Sequence, residues 1–198
     1  ILDIGSGTGE FLFACKKSNW QTTGVEPSKI ARKQAIKNYS LTVSEKTSLS
    51  LFKEKSFNAI TMWHVLEHIP SLSKTIVSLY KILKDDGVLI IAVPNINSFD
   101  ASYYKEFWAA YDLPIHLWHF SQETIVKLFE NHNFKFVRKK AMIFDSFYVS
   151  ILSEEYKLGK KNFIKSVIVG LISNIYGFFG KRGYSSTIYV FKKQNKAF

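Results

Sequence analysis

Short apolar runs recur along the chain, each ending in turn-forming residues and most followed by a segment of helical period. Ile1 to Ile4 is the first such run; it stops at Gly5-Ser6-Gly7-Thr8-Gly9, and Glu10 to Ser18 then has the composition of a helix. Thr22 to Val25 predicts a second strand. Glu26-Pro27-Ser28 closes it, and Ser28 is placed to cap a helix over Lys29 to Asn38. Leu41 to Ser44 reads as a weak third strand, Thr47 to Lys55 as a polar loop, and Phe57 to Trp63 as a fourth strand. From Lys74 to Lys84 the apolar residues Ile76, Val77, Leu79, Tyr80 and Leu83 recur at helical spacing, and Asp85-Asp86-Gly87 predicts the turn that ends this helix. Val88 to Val93 is unbroken apolar sequence, the mark of a central parallel strand covered on both faces, stopped by Pro94-Asn95.

The second half is less regular. Ser121 predicts the cap of a helix over Gln122 to Asn131, Phe134 to Lys139 a sixth strand, and Thr187 to Lys192 the last. Between those strands lies a long segment, Ala141 to Ser186, carrying an apolar helix from about Phe163 to Phe179. Strands alternating with helices predict an α/β fold with a mostly parallel sheet. The expected division is one domain over 1–198, with 1–140 as core, 141–186 as insertion or cap and 187–192 as final strand.

Composition changes this picture little. A chain of 198 residues, 46% hydrophobic and 22% charged, suits one globular domain with a real core, which excludes disorder. Cys15 is the only cysteine, so no intrachain disulfide forms, and a reducing compartment such as the cytoplasm is expected. The formal charge of +11 would concentrate phosphates or acidic lipids. Its lysines and arginines are scattered, from Lys16 and Lys17 through Arg138 to Lys140 and on to Lys157, Lys160, Lys161, Lys181 and Arg182, so a solvated basic surface is the favoured reading. A nucleic-acid modifier is the alternative that charge suggests, but no compact RNA-binding motif supports it.

Candidate chemistry begins at the glycine turn. Glycine is required where the backbone turns sharply and a ligand approaches closely, and the helix that follows offers unpaired amides. The spacing lacks the Gly-Lys-Ser/Thr ending of a phosphate-binding loop and the G-x-G-x-x-G of the usual dinucleotide fingerprint. Glu26, at the end of the second strand, sits where nucleotide-binding α/β units place an acid for ribose hydroxyls. Gly5-x-Gly7-x-Gly9 preceded by Asp3 resembles motif I of the class I S-adenosylmethionine-dependent methyltransferases.

Two later blocks narrow that resemblance. Phe57 to Pro70, and Leu83 to Asn95, are similar to the paired motifs of the ubiquinone-biosynthesis-like methyltransferases, with Asn58 where an Asp is common. The resemblance runs from Ile1 to about Lys140. It implies a Rossmann-like, doubly wound seven-stranded sheet with the last strand antiparallel. It implies S-adenosylmethionine as cofactor, S-adenosylhomocysteine as product, and a small-molecule acceptor methylated on oxygen. It assigns Asp3, Gly5, Ser6, Gly7, Gly9, Glu26, Pro27, Trp63 and His64 to the cofactor. Many relatives carry an acid for the adenine amine where this chain has Thr47 and Ser48, so a hydroxyl or backbone group is expected there instead. Family members also carry helices before the first strand, which implies a missing N-terminal portion.

Methyl transfer is an in-line displacement in which positioning supplies much of the acceleration, and a base helps only when the acceptor loses a proton. His116 and His119, before the Ser121-capped helix, are the expected catalytic residues. His64, Glu67 and His68 fall at i, i+3 and i+4, which would gather them on one helix face. The resemblance also raises a divalent metal, because Glu67 and His68 match part of an E-x-x-E-H motif and His116 could be a distant partner; polar lining without metal is the favoured reading. The aromatic residues around Tyr103 to Trp118 would either wrap a planar acceptor or form a lid. Phe163 to Phe179 is too short to span a bilayer and would either lie on an anionic membrane surface or pack as a cap or against another subunit; the packed reading is favoured. A silent cofactor-binding domain acting at a membrane or partner surface is the remaining alternative.

Overall fold

The computed structural model describes residues 1–45, 49–180 and 182–194. Thr47, Ser48 and Lys181 lie outside the described residues. Seven strands form one sheet: β1 (Leu2–Ile4), β2 (Thr23–Val25), β3 (Val43–Ser44), β4 (Phe57–Trp63), β5 (Leu83–Pro94), β6 (Phe134–Ala141) and β7 (Ser186–Lys193). Their order is β3-β2-β1-β4-β5-β7-β6. The first five run parallel, and β7 is antiparallel to both its neighbours. This is the Rossmann-like, doubly wound sheet that the strand pattern and family resemblance imply. The chain winds outward from β1 in one direction and from β4 in the other, so a crevice opens between their carboxyl ends, where open α/β sheets bind ligands.

The main core explains why the strands form where they do. Leu2, Ile60, Met62, Leu89 and Ile91 are fully buried between the sheet and its covering helices. Those helices are α1 (Glu10–Lys17), α2 (Lys29–Tyr39), α3 (Leu72–Ile82) and, beyond α4 (Phe99–Tyr104), α5 (Gln122–Glu130). Ser28 caps α2 as expected, accepting from the Ala31 amide. Ser121 and Thr124 form a reciprocal capping box on α5, a device worth about 1 kcal/mol.

The expected turn at Asp85-Asp86-Gly87 is corrected. Helix α3 ends at Ile82, and the chain enters β5 directly at Leu83, which is fully buried and pairs with Phe57. The two aspartates occupy an irregularity in the β4–β5 register between Phe57 and Ala59, with Asp85 reaching Lys55 at 2.6 Å and Lys193 at 3.2 Å. Burial of Leu83 outweighs the local turn propensity.

The segment 141–186 holds two helices rather than one, α6 (Asp145–Leu158) and α7 (Phe163–Phe178). With α4 and the 3-10 turns Lys105–Phe107 and Ala109–Tyr111 they build a second core around Tyr104, Trp108, Val149 and Val169. Asp100 is its polar centre: fully buried, it accepts from Trp108 Nε1 at 2.8 Å, Ser173 Oγ at 2.6 Å and Ser185 Oγ at 2.7 Å. Tyr104 and Trp108 are therefore structural members of the cap.

Candidate functional site

The glycine turn is built for two different jobs. Gly5, Gly7 and Gly9 all have positive φ, 73°, 53° and 93°, a region that side chains make costly. A Cβ on Gly5 would meet Val65 Cγ2 at 2.3 Å, and one on Gly9 would meet Leu41 Cδ1 at 2.6 Å, so these two let neighbouring elements close on the turn. A Cβ on Gly7 would meet nothing within 4 Å. Gly7 is thus left open, and its amide donates to Glu26 Oε2 at 2.9 Å.

Glu26 follows β2 and is 8% exposed. Its other oxygen accepts from the Ser28 amide at 2.8 Å. Two backbone donors fix the carboxylate in place, and each oxygen keeps a lone pair for a further donor. Asp3 lies deeper, 1% exposed beneath the turn, with Oδ1 accepting from Thr61 Oγ1 at 2.6 Å. Burial pushes its carboxyl up to about 7; the Thr61 hydrogen bond opposes the shift and the Glu26 charge adds to it.

A cavity of about 580 Å³ opens at the carboxyl ends of β1, β2 and β4, within the range of small-molecule sites. Gly5, Glu26, Pro27, Trp63 and His64 line it, as expected, and His68 joins them. Asp3, Ser6, Gly7 and Gly9 do not line it; they shape the turn from below or hold Glu26. Leu49, Lys74 and Thr75 line it as well, and no motif pointed to them. A larger groove, about 1190 Å³, lies between α5 and the β6–β7 edge, away from the glycine turn.

The histidine region departs from the expected helix face. Only a 3-10 turn, Leu66–His68, follows β4, and His64 adopts φ 53°, a conformation costing about 1 kcal/mol for a residue with a side chain. Both its ring nitrogens are held: Nε2 lies 3.0 Å from Asp145 Oδ2 and Nδ1 3.4 Å from Glu67 Oε1. Burial works against the charged ring, but hydrogen bonds to Asp145 and Glu67 and their charges outweigh it, and the His64 pKa rises to about 9. His64 is an imidazolium at neutral pH. Asp145 had no sequence signal, being distant in the chain and part of no motif.

His68 turns away from His64 toward the loop before α5. Leu117 and Trp118 donate their amides to the Glu67 carbonyl at 2.8 and 3.2 Å, and Trp118 Nε1 donates to the Ile69 carbonyl at 2.8 Å. That lays the loop over the turn and stacks His116 edge-on against His68, ring centroids 4.6 Å apart. A carbonyl only accepts, so Nδ1 of His68, bonded to the Ile115 carbonyl at 3.2 Å, and Nδ1 of His116, bonded to the Ala110 carbonyl at 2.8 Å, carry the protons in the neutral rings. Each Nε2 then holds a lone pair, that of His116 lying 3.9 Å from Asp112 Oδ2. His119 is oriented the other way, with Nε2 on the Tyr111 carbonyl at 3.0 Å and its ring packed on Tyr111. Glu67 is 1% exposed; its Oε1 has His64 Nδ1 at 3.4 Å, and its Oε2 has no hydrogen-bond donor among the described residues. Donor atoms of Glu67, His68 and His116 all lie within 4.8 Å of one another.

This fold is that of the S-adenosylmethionine-dependent methyltransferases. A crystal structure of such an enzyme from Archaeoglobus fulgidus superposes with a TM-score of 0.65 over 97% of this chain and 85% of that one, at 20% identity. The chain belongs to the methyltransferase domain family, whose model matches residues 1–139. Among curated relatives, a ubiquinone biosynthesis O-methyltransferase of Haemophilus ducreyi is 32% identical over 106 residues, covering 48% of this chain and 45% of its own length. A ubiquinone/menaquinone biosynthesis C-methyltransferase of Rickettsia felis is 28% identical over 130 residues, covering 58% of this chain and 51% of its own length. The chain spans about half the length, or less, of the curated relatives it matches.

Proposed function

We propose that the domain binds S-adenosylmethionine in the cavity over β1, β2 and β4 and transfers its methyl group to an oxygen of a small-molecule acceptor. The observation that carries this reading is Glu26: a carboxylate held by the Gly7 and Ser28 amides, at the rim of a cavity bounded by Gly5 and Trp63, with lone pairs left for two ribose hydroxyls. Trp63 Nε1 is buried without an acceptor and supports a polar ligand beside it.

His116 serves best as the base. Its Nε2 lone pair takes the acceptor hydroxyl proton as the new O–CH3 bond forms and the S–CH3 bond of the sulfonium breaks, leaving a neutral thioether. His119, tied to Tyr111 through Nε2, holds the loop. Relatives that methylate oxygen and carbon both match, and an imidazole stacked on the cavity-lining His68 suits a hydroxyl acceptor, which must lose its proton.

A second reading follows from the same cluster. Two imidazole nitrogens and a buried carboxylate whose Oε2 has no donor among the described residues form a set that suits zinc-like ions over magnesium. Glu67, His68 and His116 would hold such an ion. Bound there, it would act as a Lewis acid on the acceptor oxygen.

Calorimetric titration with S-adenosylmethionine and S-adenosylhomocysteine tests the cofactor, and labelled methyl transfer to phenolic acceptors tests the reaction. Glu26→Ala should weaken nucleoside binding by roughly tenfold or more, as loss of charge-assisted hydrogen bonds does. His116→Ala should keep binding and lose turnover. A wild-type chain that binds neither nucleoside sinks the central reading. Turnover that survives a chelator supports the base, and turnover restored by zinc after chelation supports the metal.

A further inference from the structure

Helix α7 is packed the opposite way from an ordinary surface helix. Such a helix buries large apolar side chains and shows polar ones to water. α7 buries Ser166, Gly170, Ser173 and Gly177 together with Val169. It exposes Ile164, Ile168, Leu171, Ile175 and Phe178, with Phe179 just beyond. At 100° per residue the exposed set spans an arc of about 80°, opposite the small residues.

The inward face is specific, so the orientation is fixed by the fold. A Cβ on Gly170 would meet Phe147 Cδ1 at 2.7 Å, and one on Gly177 would meet Tyr184 Cδ1 at 2.8 Å. Ser166 Oγ donates to the Ser150 carbonyl at 3.2 Å, and Ser173 Oγ donates to the buried Asp100. Turning the helix to hide its isoleucines would break these contacts. Asn174 Nδ2 donates to the Ile143 carbonyl at 2.9 Å, which sets Phe144, 78% exposed, alongside the face.

Charge identifies what the face meets. α7 contains no acidic residue. Exposed Lys157, Lys160 and Lys161 stand at its N-terminal end and exposed Arg182 beyond its C-terminal end. A second copy would bring like-charged ends of a +11 chain together. An anionic bilayer matches both properties: its surface attracts the cations and its acyl boundary accepts the isoleucines and phenylalanines. No helix among the described residues is long and apolar enough to cross a membrane, and α7, at about 24 Å, has the length of an in-plane anchor.

We propose that the exposed face of α7, with Phe144 and the flanking basic residues, docks the domain onto an anionic lipid surface. This reverses the packed-cap expectation for the outer face of 163–179, while the inner face does pack. Docking does not depend on cofactor binding, so the two proposals can fail separately.

The test is flotation of the 198-residue chain with phosphatidylcholine vesicles, with and without phosphatidylglycerol. Wild type should float with the anionic vesicles and release as salt is raised. Ile164→Glu/Leu171→Glu and, separately, Lys160→Glu/Lys161→Glu should each cut partitioning by about tenfold or more, with unchanged circular dichroism and melting temperature. Failure of the wild type to float overturns the proposal. So does undiminished binding of Ile164→Glu/Leu171→Glu, which would assign the effect to basic charge alone. A wild-type dimer that the same pair disperses, without flotation, overturns it in favour of a second copy.

Discussion

His64 Nε2 sits 3.0 Å from Asp145 Oδ2, joining the end of β4 to the first residue of α6 beside the cavity over β1, β2 and β4. The helical cap is thereby tied to the site by an ion pair as well as by apolar packing. A double-mutant cycle with His64→Gln and Asp145→Asn, read by urea denaturation at neutral pH, should give a coupling of about 1–2 kcal/mol, reduced by partial exposure of both groups. Because the folded pKa of His64 is raised, from 6.5 to about 9, its contribution is complete below about pH 6.5 and lost as pH rises through about 9. Coupling that persists unchanged above that range would show the pair to be uncharged.

Asp3 predicts a different pH dependence. Its folded pKa is raised from 3.8 to about 7, chiefly by burial, so the stability advantage of its protonated form is complete below about pH 4 and lost as pH rises through about 7. Relative to wild type, Asp3→Asn should flatten the stability profile between about pH 4 and 7. The difference should be a few kcal/mol, with about 4 kcal/mol as an upper bound. Parallel profiles for the two proteins would remove Asp3 as the cause.

The glycines of the turn should separate. Gly5→Ala drives a methyl group to 2.3 Å from Val65 Cγ2 and should cost about 2 kcal/mol or more through overpacking and backbone strain. Gly7→Ala meets nothing within 4 Å and should cost only about 1 kcal/mol of strain, while weakening nucleoside binding. Chemical denaturation and calorimetry on the same two variants check this. Equal losses in both would mean that Gly7 is a packing position too.

Asp100→Asn should loosen the cap selectively. Replacing one carboxylate oxygen by an amide nitrogen turns an acceptor toward Trp108, Ser173 or Ser185 into a competing donor, at a cost of about 3 kcal/mol. Hydrogen exchange should accelerate in α4 and α7 before it does in β4 or β5. Uniform acceleration would instead make the two cores one cooperative unit.

Much of the fold was legible because its signals are local. Val88 to Val93 needs only its apolar continuity to be a buried strand, and Ser28 and Ser121 need only their position to be caps. The start of β5 at Leu83 was not legible, since pairing with Phe57 overrode a good turn sequence. Helix α6 was missed for a different reason: its buried positions include Ser146, Ser150, Ser153 and Glu154, polar residue types that blur the hydrophobic period. The contact of His64 with Asp145 joins residues 81 apart in sequence, and no spacing rule reaches that far.

The sequence by itself determined the glycine turn, the acid at the end of the second strand and the succession of strands along the chain, because each depends on backbone freedom or periodicity within a few residues. Only the tertiary structure decided which glycine stays open, that Glu26 is held by two amides, that His116 stacks on His68, and that α7 turns its isoleucines outward. Those outcomes depend on which surfaces meet, and the meeting of distant segments is set by the packing of the whole domain.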